Sequence, residues 1–147
     1  MQFVTVEDVL EHARQFQNML IDYYGRLSER ALHEGVRMLA KHMAHRRQRF
    51  LRALSSFTPE QVIEMHRTPV RYEPEEADGN CFRGRELPDD ATTAEVLEVA
   101  LAFDECLARF YRQLLRQEVS EEVHDLFEGL LRLEEGDEIQ LKKIQTV

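Results

Sequence analysis

Five polar side chains stand where apolar ones belong. Gln17 lies between Ala13, Leu20 and Tyr24. Arg47 lies one turn from Met43 and from Phe50 and Leu51. Asp104 is set among Leu97, Leu101, Ala108 and Tyr111, while Glu134 and Asp137 follow Leu130 and precede Leu141, with Glu138 at the edge of that stripe. Residues three and four apart share a helix face, so each of the five interrupts an inward stripe. A buried charge is costly unless it is paired or bound to metal. Two chemistries therefore suit Gln17, Arg47, Asp104, Glu134 and Asp137. Asp104, Glu134 and Asp137 can ligate a hard or borderline divalent cation. Alternatively, the planar fork of Arg47, always charged, can engage two carboxylates with no metal at all. A cation at Arg47 opposes the metal reading, so the expectation is a buried Arg–carboxylate cluster without a cofactor. A divalent metal on the three carboxylates is the alternative.

The elements that would position these residues are four long helices. Thr5 with Asp8 marks the first start, and Val6, Val9, Leu10, Ala13, Phe16, Leu20, Tyr24 and Leu27 then make one apolar face, to about Arg30. The second runs from about Gly35 to Ser56, through Val36, Leu39, Met43, Phe50, Leu51 and Leu54, and Gly35 is read as the break before it. Thr92 and Glu95 form a capping box ahead of the third. The fourth begins after Ser120 and runs to about Ile144, with Val123, Leu126, Phe127, Leu130, Leu141 and Ile144 inward. Short connections make two antiparallel hairpins, over about 5–56 and 92–144. Between them, about 57–91 is read as a crossover. Thr58-Pro59-Glu60-Gln61 starts a short helix there, and Pro69, Pro74, Gly79, Gly84 and Pro88 follow. Crossing a 35 Å bundle takes only about 11 extended residues, so this linker can run its whole length.

The two hairpins repeat. Shifting residues 5–54 by 87 positions onto 92–141 aligns thirteen identical pairs without a gap, among them Thr5 with Thr92, Phe16 with Phe103, Tyr24 with Tyr111 and Leu54 with Leu141. Amphipathic patterning does not readily explain the matched Thr, Phe and Tyr. In this register Gln17 matches Asp104 and Arg47 matches Glu134. The expectation is one domain over 1–147, all-α, built from two related helical hairpins joined by a long crossover.

The segment FDECLARFYRQLLRQEVSEEVHDLFEGLLRLEEGDEIQL resembles the ferritin-like, rubrerythrin-type helical hairpin. That family carries a Glu seven residues before the Tyr of a Phe-Tyr or Tyr-Tyr pair, then Glu-x-x-His on the next helix. Two such hairpins supply a carboxylate-bridged di-iron site in the core of a four-helix bundle. In this chain Asp104 stands seven residues before Tyr111, in place of the Glu. Glu134 takes the Glu of Glu-x-x-His, and Asp137 replaces the His. Gln17 stands seven before Tyr24, so that carboxylate is gone. The gapless repeat puts Arg47 and Phe50 at the remaining Glu and His positions, and a four-residue shift puts Met43 and Arg46 there. Neither register keeps a ligand pair. The resemblance thus implies a ferritin-like bundle with a degenerate di-iron site, more in keeping with a structural or interaction protein than an enzyme. A metal-dependent oxidoreductase or metal-handling protein is the alternative.

Composition sets the outer limits. The chain has 147 residues, one ordinary domain, and a net charge of −9 that argues against nucleic acid as a partner. At 43% hydrophobic and 32% charged it is too apolar for a disordered chain and too charged for a membrane protein. The opening MQFVTVEDVLEH has neither the basic region nor the sustained apolar run of a secretory signal, which predicts a cytoplasmic protein. Cys81 and Cys106 form no Cys-x-x-Cys and predict no disulfide framework, with Cys81 a bystander. His42 and His45, three apart, are read as part of a solvated basic face with Arg46, Arg49 and Arg52. Tyr23, Tyr24, Phe110 and Tyr111 are read as core rather than as a redox pair. Phe103, Phe110 and Ile139 are expected to leave an apolar face outside the main stripe. That face predicts a two-fold homodimer, with a further protein partner as an option and neither nucleic acid nor a membrane.

Overall fold

The computed structural model describes residues 2–72 and 80–145. Four long helices carry the fold: α1 (Val6–Arg30), α2 (Glu34–Ala53), α5 (Thr93–Leu115) and α6 (Glu121–Gln145). Between the pairs lie α3 (Pro59–Arg67) and the single turn α4 (Asn80–Phe82). Two short strands, β1 (Gln2–Thr5) and β2 (Pro69–Tyr72), pair antiparallel, with Gln2 opposite Tyr72 and Thr5 opposite Pro69. The protein is thus mostly helical, and no described helix is long and apolar enough to cross a membrane.

The caps do what the sequence requires. Thr5, Thr58 and Thr92 each accept from the third residue on, and Asp8, Gln61 and Glu95 reach back to the cap backbone. Pro59 sits at the start of α3, where its missing N–H costs nothing. Gly35, read as a break, instead falls inside the first turn of α2. α1 ends at Ala31, whose extended backbone (φ −63°, ψ 140°) turns the chain without a left-handed residue. The crossover holds more structure than the sequence implied. β2 pairs with the N-terminal strand, and Gln117 both accepts from Arg71 N–H and donates to its carbonyl, occupying the free strand edge as a third strand would. Pro74 and Gly79 lie outside the described residues.

Both hairpins are antiparallel. Arg14 Nε donates to the Leu54 carbonyl at one end of α1 and α2, and Arg37 Nε donates to the Ser28 carbonyl at the other. The crossover then travels the length of the helices. α3 and β2 lie at the end where α1 begins, since Val6 N–H donates to the Thr68 carbonyl. Phe82 sits midway, against Phe16 and Phe103. Tyr23 Oη donates to the Arg85 carbonyl, and Leu32 N–H to that of Asp89, where α5 begins. The second hairpin therefore starts at the opposite end from where the first stopped, giving an up–down–down–up arrangement. The repeat is visible in the helices themselves: α1 to α5 and α2 to α6 start at positions shifted by the same 87 residues.

A main core fills most of the interior, with Leu10, Leu20, Tyr24, Met43, Phe103, Leu107, Tyr111 and Phe127 almost wholly shielded, and a smaller separate cluster of Leu27, Ala31, Val36, Ala40 and Val96 fills the end where α1 passes to α2. Three sequence expectations fail at its margin. Phe103 and Phe110 are buried, 0% and 7% exposed, and Phe82 of the crossover packs on Phe103. Only Ile139 of the supposed outer apolar face is exposed, so the patch read as a dimer surface loses two of its three residues. Ile144, expected inward, is exposed, because α6 runs past the packed layer at Leu141. Finally, Cys81 and Cys106 form a disulfide with Cα atoms 6.0 Å apart, which ties α4 to α5. The two cysteines lie 25 residues apart, too far for a local motif, and the crossover brings them together.

Candidate functional site

The five polar residues meet at mid-height, one from each of α1, α2 and α5 and two from α6. Their relative exposures are 1% for Gln17, 0% for Arg47 and Asp104, 2% for Glu134 and 1% for Asp137. Arg47 lies at the centre. Its Nη1 donates to both Glu134 oxygens at 3.0 and 2.9 Å and to Gln17 Oε1 at 3.4 Å. Its Nη2 donates to Asp104 Oδ1 and lies 3.6 Å from Asp137 Oδ2. Gln17 Nε2 donates to Glu134 Oε1 at 3.1 Å. The Arg47 guanidinium carbon sits 5.1 Å from the Phe50 ring centroid, within cation–π range. Arg47 and Glu134 are equivalent positions of the repeat, so this pair bridges the two hairpins.

Arg46, read in the sequence as part of a solvated basic face, instead joins the cluster. It is one residue from the inward stripe, yet its long arm reaches in and Nε pairs with Asp137 Oδ1. Both registers place a buried residue opposite Glu134, Arg47 in the gapless one and Met43 in the shifted one, and it is Arg47 that bonds Glu134; Arg46, which the shifted register sets opposite Asp137, reaches that carboxylate from the rim. Tyr24, read in the sequence as core, is buried beside the cluster, and its hydroxyl has no hydrogen-bond partner among the described residues. Asp104 Oδ2, Asp137 Oδ2 and Arg47 Nε share that condition.

Three carboxylates face two arginines here. If all were ionised the group would carry one surplus negative charge in a dry interior, so the arrangement favours one retained proton. Burial pushes the Asp104 carboxyl well above the usual carboxylate range, against the pull of Arg47, and the neighbouring Asp137 and Glu134 push it further. Burial also raises Glu134, opposed by Arg47 and Gln17. Arg47 stays charged: burial works against its charge, but Glu134, Asp104 and Asp137 outweigh that and raise it. Burial raises Tyr24 and Tyr111 as well, and both remain neutral phenols.

A carboxyl held above its unfolded value stabilises the fold fully below that unfolded value, about 3.9 for Asp, and progressively less as pH rises toward the folded one. Asp104→Asn keeps the neutral form at every pH. Its stability relative to the unmodified protein should therefore rise between about pH 4 and pH 8 in urea denaturation. A constant or falling difference would show that Asp104 ionises like an ordinary carboxyl.

The di-iron group implied by the sequence resemblance does not fit these residues. Arg47 donates to Asp104 and Glu134, whose oxygens metal ions would need, and Gln17 offers an amide. His42 and His45 lie on the outer side of α2, away from the cluster. A second group, His124, Asp125 and Glu128, brings ligand atoms within 4.8 Å of one another on the surface of α6. Its His-x3-Glu step is legible in the sequence, but two of the three residues are exposed and such groups are common without a metal. No protein-family model matches this chain, and neither a curated protein nor a solved structure matches it.

Proposed function

We propose that this chain is a ferritin-like four-helix bundle in which Arg47 has taken the place of the metal, and that its role is structural or interactive rather than catalytic. The observation that carries this reading is the guanidinium set among Asp104, Glu134 and Asp137, the three carboxylates that a reduced metal site would use. The ferritin-like assignment itself rests on the repeat, the up–down–down–up order and the long crossover. Arginine supplies the positive charge that the buried carboxylates require. It has no vacant coordination position and no accessible redox state, so the interior loses the means to activate a small molecule and keeps the means to hold four helices together.

Anaerobic reconstitution with ferrous iron tests the proposal. The expected result is well under two irons per chain and no oxo-bridged absorption after air is admitted. Two tightly held irons per chain, lost on changing Asp104 or Glu134, would establish the metal-handling alternative instead.

A further inference from the structure

We propose that Cys81 and Cys106 form a reversible thiol–disulfide exchange site, with low-molecular-weight thiols and disulfides as its reactants, and that its closure latches the crossover onto α1 and α5. The two sulfurs are unequal. Cys81 is 2% exposed, whereas Cys106 on α5 is only partly buried. Arg109, one turn along the same helix, brings Nη2 to 4.0 Å from Cys106 Sγ. A guanidinium beside a sulfur favours its thiolate, the reactive form. Cys106 is therefore the sulfur that meets the external reactant, and buried Cys81 is the one that resolves.

The chemistry balances. In oxidation the Cys106 thiolate attacks a disulfide R–S–S–R, forms a mixed disulfide and expels RS⁻. Cys81 then loses its proton and attacks Cys106 Sγ, closing the Cys81–Cys106 bond and expelling the second RS⁻. Two protein thiols are oxidised and one external disulfide is reduced to two thiols. Reduction runs the same steps backwards, with the external thiolate entering at Cys106.

The bond sits where it controls a segment. Phe82, next to Cys81, rests with ring centroids 4.9 Å from both Phe16 and Phe103, covering the seam between α1 and α5. Beyond it this stretch makes a few polar attachments, Tyr23 to the Arg85 carbonyl and Arg30 and Leu32 to Asp89. Opening the disulfide leaves Phe82, those attachments and the packing of Leu87 and buried Ala91 to hold it. The four long helices keep their own core and the Arg47 cluster. In a reducing compartment a disulfide of this kind is transient and serves exchange or sensing.

Glutathione is the probe. The full-length protein, equilibrated in native buffer with millimolar reduced and oxidised glutathione, should interconvert between two free thiols and none. In Cys81→Ser, oxidised glutathione should form an adduct on Cys106. Arg109→Ala added to that variant should slow the reaction about threefold for each unit by which the thiol pKa rises, since the tenfold loss of thiolate is partly offset by higher nucleophilicity. Hydrogen exchange should quicken across residues 80–92 on reduction while α1, α2, α5 and α6 stay protected. Should Cys81→Ser fail to fold, rapid alkylation and peptide mapping of the unmodified protein during reduction locate the mixed disulfide instead. A disulfide that exchanges only in denaturant, an adduct on Cys81, an unchanged rate without Arg109, or loss of all four helices on reduction would each overturn the proposal.

Discussion

Arg47→Leu should cost about 3–5 kcal/mol of unfolding free energy, the range for removing one partner of a buried ion pair. The loss comes less from the contacts themselves than from what they leave behind. Glu134 accepts two bonds from Arg47 and one from Gln17, and Asp104 accepts from Arg47 through the oxygen that has a partner. Without the guanidinium, Asp104, Glu134 and Asp137 are left in a space where almost no surface reaches water. Arg46 remains with Asp137, but it approaches from the rim and is bonded to neither Asp104 nor Glu134 among the described contacts. The remaining carboxyls must then take up protons or draw in water, and either response costs stability. Urea denaturation at neutral pH measures the loss. A cost below about 1 kcal/mol would place Arg47 on a solvated face and detach it from the three carboxyls.

Phe103→Ala should cost a similar amount, about 3–5 kcal/mol, for a different reason. Phe103 is wholly buried and meets three aromatic partners. Ring centroids lie 5.2 Å away for Tyr23, 6.3 Å for Tyr24 and 4.9 Å for Phe82, and Phe82 in turn touches Phe16. These rings join α1, α5 and the crossover, so truncation opens a cavity where three elements meet. The surrounding rings are too large and too constrained to collapse into it. Phe103→Leu, which keeps most of the volume, should recover much of the loss. If Phe103→Ala costs under about 1 kcal/mol in the same denaturation assay, the crossover does not pack on this seam.

The long helices were legible because their signals are local. Thr5 with Asp8 and Thr92 with Glu95 mark starts by side-chain chemistry alone, and the apolar stripe between them needs no partner to be recognised. The inward polar layer was legible for the same reason, as Arg47 and Asp104 break stripes that are otherwise regular. What escaped is what depends on distant segments meeting. The pairing of Gln2–Thr5 with Pro69–Tyr72 joins strands of only four residues each, too short to show an alternation. The Cys81–Cys106 bond and the burial of Phe103 follow from the path of the crossover, which proline and glycine positions do not specify. Arg46 escaped because a long flexible side chain reaches past the face on which its Cα lies.

The most direct test is the stability of the combined variant Arg47→Leu, Asp104→Asn, Glu134→Gln, set beside each single change. If Arg47 holds these carboxyls in place of a metal, neutralising them removes the charges that its loss orphaned. The triple variant should then be well above Arg47→Leu in stability, recovering much of the roughly 3–5 kcal/mol, with losses far from additive. Losses that simply add, or a triple variant less stable than Arg47→Leu, would show that Arg47 does not neutralise this cluster, and that the interior has not exchanged a metal for an arginine.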